Sequence, residues 1–150
     1  MNSEIVSKIY NKSLDILSRR EHSSDELEKK LFQKFESKED IKKVIYKLKE
    51  NNLINDRRFS EFYVIARKRK GFGPKKILFE LEQKGVKSSV SIEVINNEGG
   101  WIEAAKKVFT KKFGNKQESD TKTILKQKSF LLNRGFSFKE IESVFLNDML

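Results

Sequence analysis

Gly73-Pro74-Lys75-Lys76-Ile77-Leu78-Phe79-Glu80-Leu81-Glu82-Gln83-Lys84-Gly85 carries the start, the inner face and the stop of one short helix. Pro74 suits a first helical position, where its missing N–H has no intrahelical acceptor to lose. Ile77 and Leu81 recur at the spacing of one helical face. Gly85 can take the left-handed conformation at which helices commonly end. A shift of 50 residues finds the same pattern on either side: Leu31, Leu81 and Leu131 align, and so do Lys34, Lys84 and Arg134. Val44, Val94 and Val144 fall in step, as do Ile45, Ile95 and Phe145, and Ile9, Phe59 and Phe109. Leu27 meets Ile77, Ile41 meets Ile141, and Gly85 meets Gly135, while the first unit has Phe35 at that position. Apolar residues at one helical phase in three units predict three tandem three-helix modules.

Working outward, five further segments show the helical stagger. They are Val6, Ile9, Tyr10, Leu14 and Leu17; Ile41, Val44, Ile45 and Leu48; Phe59, Phe62, Tyr63 and Ala66; Trp101, Ala104, Ala105, Val108 and Phe109; and Ile141, Val144, Phe145 and Met149. Ser23 with Glu26 and Ser137 with Glu140 have capping-box spacing, and Ser37 and Asp56 are read as N-caps. Nine helices result, over 3–20, 24–35, 38–51, 57–70, 74–84, 88–97, 100–113, 120–134 and 138–148. The fold class is all-α, with repeats 1–54, 55–98 and 99–150 stacked as one elongated, curved rod. Such a rod offers a long face suited to grooves, filaments and other proteins, whereas a small molecule wants a deep pocket.

Composition narrows the function. One proline and seven glycines are too few for an all-β chain, which turns about every 8 to 12 residues. No run approaches the roughly 18 apolar residues of a membrane span, and no signal-peptide core precedes the first helix. The chain reads as soluble, cytoplasmic and without a membrane partner. With no Cys and one His there is no disulfide framework and no ordinary zinc site, and no metal or cofactor is expected. The 150 residues suffice for a core without obligate oligomerisation, so a monomer is expected. A net charge of +10 attracts polyanions, nucleic acid first among them, although a lysine-rich surface also simply solubilises.

No catalytic set emerges. His22, the single imidazole, precedes the capping Ser23 and is assigned a local role at the start of the second helix. Gly71-Phe72-Gly73-Pro74 lacks phosphate-loop spacing and follows no strand, and Gly99-Gly100 is an interhelical break. Glu26, Glu28, Lys29 and Lys30 read as a solvated face. The standout feature is a run of eight basic residues between Arg57 and Phe79 against one acid, Glu61. Arg57 and Arg58 open it; Arg67, Lys68, Arg69, Lys70, Lys75 and Lys76 crowd a turn expected to aim a helix start outward, where its amides would favour anions. Phe72, within that turn, is placed to stack on a base, enter a partner's pocket or fold back as a staple. Core packing is assigned to Phe59, Phe62, Phe109 and Trp101. Lys106, Lys107, Lys111, Lys112 and Lys116 form a second, lysine-only cluster, read either as solvation or as binding surface.

These blocks have a family resemblance. Leu17-Ser18-Arg19-Arg20-Glu21-His22-Ser23 with Glu26-Leu27 and Lys30-Leu31, then Leu53-Ile54-Asn55-Asp56-Arg57-Arg58-Phe59, Arg67, Gly71-Phe72-Gly73-Pro74, Glu80-Leu81 and Lys84-Gly85-Val86, resemble the RecX family of bacterial recombinase regulators. The match is specific in the first two units and generic in the third. The resemblance implies a helical modulator without a catalytic centre, which binds the RecA recombinase filament on single-stranded DNA and inhibits its ATPase, strand exchange and extension. That role lies in DNA repair, homologous recombination and the SOS response. Arg19, Arg20, Arg57, Arg58, Arg67, Lys68, Arg69, Lys70, Phe72, Lys75 and Lys76 are then the candidate contacts to partner or DNA; Arg57 and Arg58 could instead pair with carboxylates. The alternative is a stand-alone basic module that binds bare DNA or RNA.

Overall fold

The computed structural model describes residues 2–115 and 120–146. Those residues form nine α-helices and no strand. They are α1 (Asn2–Leu17), α2 (Ser24–Phe32), α3 (Lys38–Glu50), α4 (Asp56–Arg69), α5 (Pro74–Gln83), α6 (Ser88–Glu98), α7 (Trp101–Phe113), α8 (Thr121–Asn133) and α9 (Phe138–Leu146). Every predicted helix is present. The largest differences are C-terminal: α1 stops at Leu17, and α2 stops at Phe32, where 20 and 35 were expected. Lys116, Met149 and the last residues of the ninth predicted helix lie outside the described residues.

Three starts are set by the expected side chains. Ser23 accepts from the Glu26 amide while Glu26 accepts from the Ser23 amide, each at 3.1 Å. Ser137 and Glu140 repeat this reciprocal cap. Ser37 accepts from the Asp40 amide, at 3.4 Å. One cap is displaced from its expected residue: α4 starts at Asp56, and the side chain that accepts from its first turn is Asn55, from the Arg58 amide at 2.9 Å. Asp56 looks the other way and accepts from the Ser24 amide at 2.8 Å.

The chain divides into two compact units, Met1–Phe62 with Leu81–Ser91 and Tyr63–Glu80 with Ile92–Leu150. In the first, α1 and α2 pack on α3 around Ile9, Ile16, Leu27, Leu31, Ile41, Val44, Leu48 and Ile54. Burying side chains of this size stabilises by about 1.5–3 kcal/mol each before the entropy of ordering is subtracted. Leu14, assigned to that face, is 37% exposed, and Ser13 faces inward instead, satisfied by donating to the Ile9 carbonyl at 2.8 Å. In the second unit α7 and α8 pack on α9. Its buried residues include Val64, Ile77, Ala105, Leu131, Phe136 and Ile141, and Phe109 meets Phe113 and Phe145 at centroid distances of 5.2 and 5.3 Å. The expected inner face of α4 is rotated: Phe59 and Val64 are buried, whereas Phe62 is 60% exposed and Ala66 is exposed too.

One joint between helices occurs twice, once in each unit. In the first, the start of α2 meets the end of α5: Ser23 Oγ donates to the Lys84 carbonyl at 2.7 Å, Lys84 pairs with Glu26 at 3.2 Å, and a Cβ on Gly85 would lie 2.5 Å from Asp25 Cβ. In the second, the start of α5 meets the end of α8: Gly73 N–H donates to the Arg134 carbonyl at 2.7 Å and Lys75 N–H to the Gly135 carbonyl at 2.9 Å. A Cβ on Gly135 would overlap Lys76. Gly85 and Gly135 both have positive φ, +80° and +100°, which also favours glycine. The expectation of an outward-aimed, anion-ready start to α5 is therefore corrected, because its first free amides are already bonded to carbonyls.

Candidate functional site

The last turn of α4 is basic, and α7 presents Ala104, Lys107, Val108, Lys111 and Lys112 at positions that share one helical face. Within the second unit these two elements and α8 enclose an open groove of about 820 Å³. Lys68, Arg69 and Lys70 contribute from α4 and its end; Lys107, Lys111 and Lys112 contribute from α7; Phe130 and Arg134 come from α8. Ile65, Ala104 and Val108 provide apolar lining, Gly71 and Gly100 complete the wall, and Glu98 and Glu103 are its acids. Gly71 permits the close approach: at φ +93°, its Cβ position would lie 3.3 Å from Val108. The two basic clusters of the sequence thus share one groove.

The basic residues of the groove and its surroundings differ sharply in what they touch. Arg67 makes a bidentate pair with Glu80, at 2.7 and 2.9 Å, and Tyr63 donates to the same carboxylate at 2.7 Å. Burial alone would raise the Glu80 carboxyl, but the hydrogen bonds from Arg67 and Tyr63 hold it below its usual range. Arg67 is correspondingly raised by its hydrogen bonds to Glu80. Lys68 pairs with Glu98 at 2.9 Å, donates to the Gly99 carbonyl at 2.8 Å and lies over the Trp101 ring. Both residues therefore hold the scaffold together. Arg69, Lys70, Lys107 and Lys111 have no carboxylate partner among the described residues, nor has Lys75.

Phe72 is half-buried and ringed by cations: Arg67 at 3.9 Å from its centroid, Arg134 at 5.0 Å and Lys76 at 5.3 Å. It folds back against the protein, as in the staple-like alternative. Arg134 also lies 5.2 Å from the Phe130 centroid, and Lys112 lies 5.5 Å from the same ring. Five residues of this arrangement, Lys107, Lys111, Lys112, Phe130 and Arg134, were not among the expected contacts. Arg134 enters the sequence reading only as the third-repeat counterpart of Lys84, and Lys107, Lys111 and Lys112 only in the cluster left open between solvation and binding.

The remaining expected contacts, Arg19, Arg20, Arg57 and Arg58, belong to the first unit and are each engaged with a carboxylate. Arg19 meets Asp15 at 3.3 Å, Arg20 meets Glu26 at 3.2 Å, Arg57 meets Glu61 at 3.8 Å and Arg58 meets Glu21 at 2.7 Å. Arg58 additionally donates to the carbonyls of Asn52 and Leu53. Glu26 is no part of a solvated face: burial would raise its carboxyl, but Arg20, the Ser23 amide and Lys84 hold it down. His22, also in this unit, is buried; its Nδ1 lies 3.0 Å from the Arg20 carbonyl and its Nε2 lies 2.7 Å from Lys30 Nζ. An ammonium can only donate, so Nε2 accepts and Nδ1–H donates. The local role expected for His22 fits these bonds. Among the described residues no group of three or more metal-ligating side chains forms, and no helix is long and apolar enough to cross a membrane.

Family models for the three helical domains of RecX match in chain order, the first over residues 10–48, the second over 55–93 and the third over 102–145. The chain belongs to the RecX family. The protein called regulatory protein RecX in Legionella pneumophila (strain Corby) is 35% identical over 149 residues, covering 94% of this chain and 99% of that protein. The RecX of Haemophilus influenzae (strain PittEE) is 39% identical over 135 residues, covering 87% of this chain and 88% of its own. In structure the chain is similar to the crystallised RecX of Lactobacillus salivarius, with a TM-score of 0.86, 26% identity and 99% coverage of both chains. A second crystallised regulatory protein RecX gives a TM-score of 0.82 at 26% identity, over 95% of this chain and 72% of that one. The three-module, all-helical reading of the sequence is the architecture of this family, and its relatives are named as regulatory proteins.

Proposed function

We propose that this chain is a cytoplasmic, non-catalytic regulator that binds RecA assembled on single-stranded DNA and suppresses its ATPase, strand exchange and filament extension. Membership of a family of regulatory proteins supports the class of activity, and the shared basic groove of the second unit supports the kind of partner. Arg69, Lys70, Lys107 and Lys111 supply charge that no carboxylate of the described residues neutralises, and such charge draws a phosphate-bearing filament from a distance. Lys75 and Lys76 extend that surface. Arg67, Lys68 and Phe72 shape it through their internal contacts, while Arg19, Arg20, Arg57 and Arg58 act through the first unit. The convergence of two separate basic clusters on one groove is the observation that carries this reading.

The test is a titration of the protein into RecA on single-stranded DNA with ATP, following hydrolysis, beside a binding curve on the same DNA without RecA. Suppression well below the concentration that coats bare DNA is the expected result. Suppression appearing only once bare DNA is saturated would mean competition for the strand, and the stand-alone nucleic-acid module would replace the regulator.

A further inference from the structure

The groove of the second unit does not end at Phe130. The same ring borders a second, shallower hollow of about 480 Å³ on the exposed side of α8, lined also by Lys122, Leu125, Lys126, Ser129 and Asn133. Two hollows with basic rims meet at one half-buried aromatic ring. Arg134 and Lys112 lie over that ring, and neither pairs with a carboxylate among the described residues. A cation over an aromatic face is held more weakly than by a charge-assisted bond to phosphate, and Arg134 adds only a contact with the Phe72 ring and a long hydrogen bond, 3.4 Å, to the Lys70 carbonyl.

We propose that the two hollows form one track for an unpaired nucleic-acid strand, with a base stacked on Phe130 and its flanking phosphates taken by Arg134 and Lys112. This deepens the proposed function by giving its groove a ligand and a mode of binding. The exchange is balanced: as the base covers the ring, the two cations leave it for phosphate oxygens. The features point to a single strand for a physical reason. A duplex keeps its base faces stacked inside, so it can offer the rims phosphates but cannot offer Phe130 a base. A compact anion would need only one hollow. An acidic protein segment would match the rims and leave the ring without a planar partner.

The experiment measures binding of the whole chain to a fluorescent oligothymidylate, to a duplex of equal length and to polyglutamate, at fixed salt. The wild type is expected to bind the single strand about tenfold more tightly than the duplex, the scale of stacking one base. Phe130→Leu, which keeps an apolar side chain against Phe113, is expected to erase that preference and leave duplex binding unchanged. Arg134→Lys should lower single-strand affinity severalfold while helicity and melting stay at wild-type values. Equal affinity for strand and duplex, or a preference that survives Phe130→Leu, overturns the proposal. Polyglutamate that displaces the strand at matched charge would assign the groove to an acidic protein. Loss of the preference in a wild type that still suppresses RecA hydrolysis would sink this mode of binding and leave the regulator standing.

Discussion

His22 shows how a single side chain sets a condition on the fold. Its neutral ring accepts from Lys30 and donates to the Arg20 carbonyl, with Glu26 as the nearby carboxylate. Burial, assisted by the positive charges of Arg20 and Lys30 and opposed by the hydrogen bond to the Arg20 carbonyl and by Glu26, holds its pKa below the ordinary 6.5. The unfolded chain therefore takes up a proton first as pH falls. Stability is full above 6.5 and declines as pH drops from there through the lower folded-state value. Glu26 and Glu80, held below their usual 4.5, give up their stabilisation only at more acid pH, as the unfolded carboxyls begin to protonate near 4.5. Urea melts at pH 7.5 and 5.5 should show a lower midpoint at 5.5, and His22→Gln should flatten the difference; an unchanged slope would assign it to other groups. Ser91 is a second residue-level case. It stands where the first and third repeats have Ile41 and Ile141, and its hydroxyl is buried with no hydrogen-bond partner among the described residues. Ser91→Ala removes that desolvated hydroxyl and should stabilise by about 1 kcal/mol, readable as a raised urea midpoint.

At the scale of elements, the sequence announced most helices through local signals. Ser23, Ser37 and Ser137 lie within three residues of the amides they cap, so a linear reading finds them. The phase of α4 was misjudged because aromatics occupy both of its sides, and nothing local says that Phe59 turns inward while Phe62 faces solvent. The repeated joint was equally hidden. Its bonds join Ser23 to Lys84 and Gly73 to Arg134, each across 61 residues, so Gly85 and Gly135 looked like simple helix stops. Their second role gives a prediction. Gly135→Ala places a Cβ against Lys76 at a positive φ, and should cost more than the roughly 1 kcal/mol of left-handed strain alone. Gly99→Ala also has a positive φ, but its Cβ would make only an ordinary 3.7 Å contact with the Asn96 carbonyl, and it is the control. Equal losses in denaturant melts would mean that strain alone matters.

At the scale of the molecule, composition foretold the attraction and not its address. The net charge of +10 is visible at once, but of the groove's seven basic residues Lys68, Arg69 and Lys70 come from α4 and its end, Lys107, Lys111 and Lys112 from α7 and Arg134 from α8, and only packing unites them. Meanwhile Arg58 and Arg67, prominent in the chain, are consumed by Glu21 and Glu80. Local charge and total charge can be separated. Replacing Lys107, Lys111 and Lys112 by Gln lowers the net charge from +10 to +7, since three positive charges are removed. Replacing the exposed Lys38, Lys42 and Lys49 by Gln does the same in the first unit. The groove variant should need about tenfold more protein to suppress RecA hydrolysis and show a shallower salt dependence, with the control near wild type. Identical effects would make the bulk field, and not the groove, responsible.

The glycine-tipped joint also sets the first repeat apart from the other two. Lys84-Gly85-Val86 and Arg134-Gly135-Phe136 each bury the residue after the glycine, whereas Lys34-Phe35-Glu36 moves the apolar residue one place earlier and packs Phe35 on the core of the first unit. Phe35 carries the side chain that Gly85 and Gly135 lack, where an added Cβ would meet the Asp25 side chain and Lys76 respectively. The first repeat therefore lacks the fitting that the second and third carry, and one aromatic residue in place of a glycine makes the difference.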